Sequence, residues 1–169
     1  MRAETIRYLV LDADGVLTDC RLYYTEDGRE IKSFNVRDGH GIKILMRAGI
    51  GVAIITGRYS KAVEHRAKDL QIEYVVQGAK DKKAALLEFS RQVGVGPEAM
   101  AYMGDDVVDL PAMALCGMSI APNDAADMVR QRADIVTSQR GGHGAVREAV
   151  EIILKRLGLF DKAMERYVG

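Results

Sequence analysis

Two aspartates, Asp12 and Asp14, follow directly after an apolar run at residues 8–11, with one small residue between them. A continuous apolar run is typical of a central strand that is buried on both faces of a parallel sheet. Open α/β sheets bind ligands at the carboxyl ends of such strands, and carboxylates are costly to bury. We therefore predict that both side chains take part in chemistry. The alternative is that they cap a turn before Gly15, because Asp-x-Asp-Gly is also a common turn sequence.

Three further apolar runs, at residues 51–55, 74–76 and 101–103, also end in polar side chains. These side chains are Thr56, Arg58, Lys80 or Lys82, Asp105, Asp106 and Asp109. Carboxylates from two strand ends repel one another unless a hard cation joins them, and Mg²⁺ prefers oxygen ligands while keeping water and substrate phosphate in its shell. A lysine and a threonine complete a cradle for phosphate oxygens. The sequence therefore predicts a site for Mg²⁺ and phosphate.

The elements that position these residues alternate between strands and helices along the chain. The predicted strands are 8–11, 51–55, 74–76, 101–103, 118–120 and 135–136, and the predicted helices are 38–47, 60–70, 81–93, 110–114, 124–132 and 141–157. Strands and helices in this alternation indicate a Rossmann-like parallel sheet with helices on both faces. The length of 169 residues favours one domain over residues 1–169.

A β-hairpin is predicted at residues 21–34, around a turn at Glu26-Asp27-Gly28. Apolar residues lie on both of its faces, and a two-stranded ribbon is only marginally stable alone. It could pack on its own domain or on another subunit, and both alternatives stay open. Asp38, beside Gly39, could orient a substrate or cap the following helix. The C-terminal segment 161–169 could help to close a neighbouring subunit's site, and a frayed terminus is the default expectation.

The composition excludes several classes of function. Lysine plus arginine equals aspartate plus glutamate at 24 each, so no net field attracts nucleic acid or an anionic membrane. No signal peptide or run of about 18 apolar residues is present, which predicts a protein without a membrane span. Cys20 and Cys116 lie far apart and lack metal-site spacing, which fits reduced thiols in a cytoplasmic protein.

The residues above resemble the haloacid dehalogenase superfamily in four motifs that occur in order along the chain. The motifs are Asp12-Ala13-Asp14-Gly15-Val16, Thr56, a lysine, and Gly104-Asp105-Asp106 with Asp109. The resemblance implies that Asp12 is the nucleophile, which takes the phosphoryl group as an aspartyl phosphate. It implies that Asp14 protonates the leaving oxygen and then activates the water that releases phosphate.

The same resemblance implies a set of ligands around this pair. Mg²⁺ would be held by the side chains of Asp12 and Asp105 and by the backbone carbonyl of Asp14. Thr56 and a lysine would bind the phosphate and complete the catalytic set, and the family spacing of four residues after Gly78 selects Lys82 over Lys80.

The resemblance implies less specific roles for the other residues. Asp106 and Asp109 would reach the metal through water or support its ligands by hydrogen bonds. Arg58 and Arg66 would bind the substrate through its carboxylate or its phosphate. The roles of His40 and His143 stay open.

Longer segments resemble one family within the superfamily, the 3-deoxy-D-manno-octulosonate (KDO) 8-phosphate phosphatases of lipopolysaccharide sugar synthesis. These segments are 14–19, 37–41, 55–58, 77–78 and 141–148. The resemblance implies a phosphorylated sugar acid as substrate and a homotetramer in which neighbouring subunits cover each site, because the chain has no room for a cap domain. An alternative substrate is a related nonulosonic acid 9-phosphate. A phospho-accepting receiver domain is a further alternative, but its acceptor aspartate would follow the third strand, where Gln77-Gly78 stand.

Overall fold

A computed structural model describes residues 6–168, which form eight strands and seven helices joined by short loops. The strands are β1 (Tyr8–Leu11), β2 (Tyr23–Tyr24), β3 (Glu30–Ile31), β4 (Gly51–Ile55), β5 (Tyr74–Val76), β6 (Met100–Met103), β7 (Met118–Ala121) and β8 (Ile135–Val136). The helices are α1 (Val36–Arg47), α2 (Lys61–Leu70), α3 (Lys82–Val93), α4 (Leu110–Met113), α5 (Asp127–Arg130), α6 (Ala145–Arg156) and α7 (Phe160–Val168).

Six strands form one parallel sheet in the order β5-β4-β1-β6-β7-β8. Strand β1 lies in the middle, where Tyr8 pairs with Gly51 of β4 on one side and with Met100 of β6 on the other. The chain builds the sheet outward from β1 to β5 and then returns to β6, so the strand order changes direction beside β1. Open α/β sheets bind ligands at such a switch point.

Helices cover both faces of this sheet, as predicted. Alternate residues of each strand point to opposite faces, so two separate apolar clusters form. One cluster joins the strands to α1, α2 and α6 through residues such as Leu45 and Val150. The other joins them to α3, α4 and α5 through Leu86, Phe89 and Val129. This two-sided cover explains why the strand sequences are continuously apolar.

The segment between β1 and α1 contains the predicted hairpin and nothing larger. Tyr23 of β2 pairs antiparallel with Ile31 of β3, which confirms the hairpin, although each strand has only two paired residues. Its apolar side chains are exposed: Leu22, Tyr23, Tyr24 and Ile31. Between Thr56 and Lys82 the chain forms only α2 and β5, so the described residues include no cap domain.

Asp38 links the start of α1 to the start of α6. Asn35 caps α1 by accepting hydrogen bonds from the backbone N–H groups of Arg37 and Asp38. The Asp38 carboxylate is buried and accepts from the N–H groups of Gly144, at 3.3 Å, and Arg147, at 2.8 Å. Asp38 therefore caps a helix, but α6 rather than the helix that contains it.

The structure of the C-terminal segment differs from the sequence-based prediction. Residues up to 168 form helix α7, so the predicted frayed terminus is wrong for residues 161–168, while residue 169 lies outside the described residues. Gly158, with φ of +67°, separates α6 from α7. The Tyr167 hydroxyl accepts from Arg47 of α1 and lies 3.0 Å from His40 Nε2, which holds the helix against α1. No helix between residues 6 and 168 is long and apolar enough to cross a membrane.

Candidate active site

The loop after β1 places Asp12 at the switch point of the sheet. The Asp12 N–H donates to the carbonyl of Met103 at 3.0 Å, and Asp12 Oδ1 accepts from the N–H of Ala13 at 2.7 Å. Gly15 has φ of +84°, and a Cβ there would lie 2.0 Å from Asp105 Oδ2. Only glycine therefore allows the loop to approach Asp105 this closely.

Lys82, at the first turn of α3, is the lysine that the structure brings to Asp12. Its ammonium lies 2.8 Å from Asp12 Oδ2 and 2.6 Å from Asp109 Oδ1, and the side chain is buried. Lys80 and Lys83 are exposed. Burial alone lowers the pKa of Lys82, but Asp12 and Asp109 outweigh it and raise that pKa above its ordinary value. Lys82 is therefore a fixed positive charge at the base of the site.

Asp109 is a support for this lysine. Its Oδ1 accepts from Lys82 and from the Tyr102 hydroxyl at 3.1 Å, and its Oδ2 accepts from the N–H groups of Asp105 and Asp106 at 3.2 and 3.3 Å. Both oxygens of this fully buried carboxylate thus have protein donors. The sequence left the role of Asp109 open, and the structure makes it an anchor for Lys82 and for the loop after β6.

A candidate metal site lies between the loops after β1 and β6. One carboxylate oxygen from each of Asp12, Asp105 and Asp109 lies within 4.8 Å of the others. Each Asp109 oxygen accepts from two protein donors, whereas each Asp12 oxygen has one, so Asp12 and Asp105 are the side chains that fit a cation best. The predicted third ligand, the backbone carbonyl of Asp14, belongs to the same loop as Asp12. Asp106 is exposed and caps the turn Val107–Asp109.

The raised pKa values of the two predicted ligands are also consistent with a cation site. Burial raises the pKa of Asp12 to about 6; Asp109 adds to the rise, and Lys82 opposes it. Burial raises the pKa of Asp105 to about 8, with further contributions from Asp12 and Asp109. A positive ion between them would stabilise their ionised forms. The donor set is therefore chemically suited to a divalent cation.

Asp14 lies in a second cluster of charges, which involves the hairpin. Lys32 donates a hydrogen bond to Asp14 Oδ1 and lies 3.1 Å from Glu30 Oε1. Arg58, in the loop after β4, lies with Nε 3.6 Å from Asp14 Oδ2 and donates from Nη2 to Glu30. Asp12 thus faces the lysine of α3, whereas Asp14 faces two cations near the mouth of the site.

The two remaining predicted site residues, Thr56 and Arg66, lie in different parts of the structure. Thr56 is buried at the end of β4, where its N–H donates to the Val76 carbonyl at 2.9 Å, so it lies at the same sheet edge as Asp12. Arg66 donates to the Asn35 carbonyl at 3.1 Å and lies over the Phe34 ring at 5.7 Å. These contacts of Arg66 are with the segment that leads from the hairpin into α1, and its role in substrate binding stays a prediction.

Comparison with known proteins places this site in a family. The haloacid dehalogenase-like hydrolase family matches residues 36–117. The 3-deoxy-D-manno-octulosonate 8-phosphate phosphatase KdsC of Escherichia coli K12 is 45% identical over 162 residues, which are 96% of this chain and 86% of that protein. The chain belongs to the KDO 8-phosphate phosphatase family. It is a haloacid dehalogenase-like hydrolase that acts on phosphoric monoesters, as the sequence motifs predict.

Solved structures of the KDO 8-phosphate phosphatase family share the fold. The Moraxella catarrhalis enzyme, in complex with magnesium ion, phosphate ion and KDO, has a TM-score of 0.95 and 39% identity, and the match covers 98% of this chain and 95% of that chain. The cobalt-bound Haemophilus influenzae enzyme has a TM-score of 0.91 and 46% identity, with 95% and 94% covered. These matches confirm the predicted α/β fold without a cap.

Sequence reasoning missed three residues that shape the site: Glu30, Lys32 and Tyr102. A signal existed for Tyr102, because it is a polar aromatic residue inside a buried strand and needs a partner for its hydroxyl. The hairpin residues gave no such signal, since a charged residue on a short ribbon is ordinarily exposed. Only the fold shows that the ribbon turns these two side chains towards Asp14.

Proposed function

We propose that this chain hydrolyses KDO 8-phosphate to KDO and phosphate with Mg²⁺ as cofactor, in the cytoplasm. The observation that carries the proposal is the pairing of Asp12 with Lys82 and Asp105 at the switch point, with Asp14 two residues further along the same loop. The substrate named for the relatives at 39–46% identity supports the choice of sugar. The two unpaired cysteines support the compartment.

The proposed reaction has two displacements at phosphorus. In the first, a carboxylate oxygen of Asp12 bonds to phosphorus while the ester bond to the sugar oxygen breaks, and Asp14 gives a proton to that oxygen. In the second, Asp14 takes a proton from a water molecule, whose oxygen bonds to phosphorus and releases Asp12. Each step leaves the enzyme ready for the next, because the proton lost by Asp14 returns from water.

The other residues bind and orient the phosphoryl group. Lys82 balances negative charge on its oxygens, and Thr56 donates a hydrogen bond to one of them. Asp12 and Asp105, with the carbonyl of Asp14, would hold Mg²⁺. When bound, the ion supplies positive charge that draws the phosphate towards Asp12 and stabilises the charge of the transition state.

The proposed assembly is a homotetramer in which neighbouring subunits cover each site. The hairpin supports this proposal, since Leu22, Tyr24 and Ile31 are exposed within one chain. Hydrolysis through an aspartyl phosphate gains from a closed site that excludes bulk water, and no cap lies within residues 6–168 to provide one.

The test is a phosphate-release assay on KDO 8-phosphate, a nonulosonic acid 9-phosphate and simple hexose phosphates, with and without Mg²⁺. We expect KDO 8-phosphate to give the highest kcat/KM and chelation of the metal to abolish turnover. A higher kcat/KM for the 9-phosphate would assign the chain to that alternative substrate. Equal turnover in the presence of a chelator would reject the metal-dependent mechanism.

A further inference from the structure

The side chain of Lys32 is covered although the residue follows a two-residue strand of an exposed hairpin. Its side chain is 1% exposed, while the neighbouring Ile31 is 52% exposed. A buried ammonium is costly unless it is paired, and this one has two partners, Asp14 and Glu30. The hairpin therefore inserts one positive charge into the site while its apolar side chains remain outside.

The two cations on Asp14 differ in how firmly they are held. Lys32 donates a hydrogen bond to Oδ1, and its side chain is covered by the surrounding residues. Arg58 approaches Oδ2 at 3.6 Å, and its side chain is 46% exposed. An exposed guanidinium with a long contact can leave Asp14 and pair with an incoming anion at little cost. A lysine whose side chain is covered cannot exchange its partner so easily. Oδ1 is thus fixed, and Oδ2 is the oxygen that becomes accessible.

Glu30 joins the two cations into one unit. It accepts from Arg58, and its other oxygen lies 3.1 Å from the Lys32 ammonium. Because Glu30 lies on β3 and Lys32 follows that strand directly, the hairpin has to keep its position for Lys32 to reach Asp14. The orientation of the Asp14 side chain therefore depends on the hairpin as well as on its own loop.

We propose that Lys32 is a positioning residue for proton transfer: it holds Oδ1 of Asp14 so that Oδ2 faces the leaving oxygen. In the first displacement the Asp12–phosphorus bond forms and the ester bond breaks, the electron pair goes to the sugar oxygen, and that oxygen takes the proton from Oδ2. This inference rests on the proposed function, because it assumes that Asp14 is the proton donor. It adds a contribution of the hairpin to the chemical step.

Two classes of substrate separate positioning from mere structural support. A sugar phosphate needs a proton on its leaving oxygen, whereas p-nitrophenyl phosphate releases a stable phenolate without one. We expect Lys32→Met to slow the first displacement by about 10- to 100-fold for the sugar phosphate and by less than about threefold for p-nitrophenyl phosphate. The measurement is release of the leaving group in a single turnover, because the second displacement, in which Asp14 also acts, is the same for both substrates. Lys32→Gln, which keeps a hydrogen-bond donor, is expected to restore part of the sugar-phosphate activity.

The control variant is Arg29→Met, since Arg29 is an exposed cation of the same hairpin that pairs with Asp27. It is expected to behave as the wild type with both substrates. Thermal unfolding and light scattering of each variant report whether fold and assembly are retained. In an Asp14→Asn background, Lys32→Met is expected to cause little further loss, because residues that act through one another are not additive.

Equal losses in the single-turnover rate of the first displacement on both substrate classes would show that Lys32 only supports the structure. An undiminished rate with the sugar phosphate would show that Lys32 does not position Asp14. Additive losses in the double variant would overturn the proposal in the same way. Wild-type turnover of the sugar phosphates separately decides the proposed function, and the comparison of variants uses whichever alkyl phosphate the wild type hydrolyses. Failure of one conclusion is therefore distinguishable from failure of the other.

Discussion

Asp12 and Asp14 are chemically identical side chains whose surroundings separate their roles. Asp12 is buried against Lys82 and the other acids of the cluster, which suits a nucleophile held in one position. Asp14 is partly exposed and contacts cations from the hairpin and the β4 loop, which suits a group that meets both substrate and water. Two carboxylates in different environments are the usual basis for dividing acid–base work.

Substitution of each acid is expected to give a different loss. Asp12→Asn removes the nucleophile and should abolish phosphate release, while Asp14→Asn removes only proton transfer and should lower kcat by about 10² to 10⁴. Asp27→Asn is the control, because Asp27 is an exposed turn residue of the hairpin. Steady-state kinetics on a sugar phosphate measures all three. An Asp12→Asn variant that turns over substrate at the wild-type rate would reject the covalent mechanism.

The pH dependence of stability should reveal the raised pKa values of Asp12 and Asp105. Both folded-state values, about 6 and about 8, lie above the ordinary value of 3.8. The folded chain then binds more protons than the unfolded chain between these values, so stability without metal should fall as the pH rises from about 4 to about 8. A divalent cation relieves this loss, and its stabilising effect should be larger at the higher pH.

Thermal unfolding at several pH values, with and without Mg²⁺, measures this effect. Asp105→Asn is the matched variant, since it removes the group with the larger rise and should flatten the pH dependence of the metal-free protein. A melting temperature of the metal-free protein that does not change with pH would contradict the raised pKa values of these two carboxyl groups.

At the scale of elements, Asp38 adds a polar link to the apolar contact between α1 and α6. Asp38 is on α1, yet its carboxylate satisfies two N–H groups at the start of α6. The loop 141–144 lies against the first loop of the site, where the Gly142 N–H donates to the Val16 carbonyl at 3.1 Å. One buried carboxylate therefore stabilises both a helix and a segment next to the catalytic loop.

Removing this cap should cost stability. Asp38→Ala leaves two N–H groups of α6 without their acceptor, and we expect the free energy of unfolding to fall by about 0.5–2 kcal/mol. Asp69→Ala, at an exposed position of α2, is the control and should be within about 0.5 kcal/mol of the wild type. Denaturant unfolding measures both. Equal stability of the two variants would show that the Asp38 contacts contribute nothing.

Element boundaries were predicted well where a local signal marks them and poorly elsewhere. The Asp81 cap and Gly94, with φ of +65°, delimit α3 close to the predicted range 81–93. Helix α5 is shorter than predicted, since Asp124 accepts from the Gly141 N–H in a contact between distant loops. Helix α7 was missed although Phe160, Ala163 and Met164 recur at helical spacing and pack on the core, because a position at the end of a chain ordinarily indicates fraying.

At the scale of the whole molecule, the hairpin is the feature whose apolar surface a single chain leaves uncovered. Its apolar side chains are exposed on a ribbon that is too short to be stable by itself. A charged residue on this surface should therefore prevent subunit association. We expect Leu22→Asp with Ile31→Asp to convert the proposed tetramer to smaller species and to lower activity, as measured by light scattering and phosphate release.

The control for this experiment is Met128→Asp, which adds a charge at an exposed apolar residue of α5, away from the hairpin. It should leave the assembly unchanged. A monomeric wild type with full activity would reject the proposed cover by neighbouring subunits.

The sequence predicted the sheet and most of the site because both follow from the same pattern. Each strand is an apolar run, and the polar residue after it is brought to one edge, so Asp12, Thr56 and Asp105 could be placed without a structure. Lys32 and Glu30 could not, since their positions depend on how a hairpin folds back over that edge. Long-range contacts of short, irregular segments have no periodic signature.

The whole chain has no net charge, but its site does. When its five carboxyl groups are ionised, they exceed its three cations by two; the groups are Asp12, Asp14, Glu30, Asp105 and Asp109, against Lys32, Arg58 and Lys82. One divalent cation restores neutrality, and without it the site repels a phosphate dianion. Metal and phosphate should therefore bind cooperatively, and by linkage each should raise the affinity for the other by the same factor.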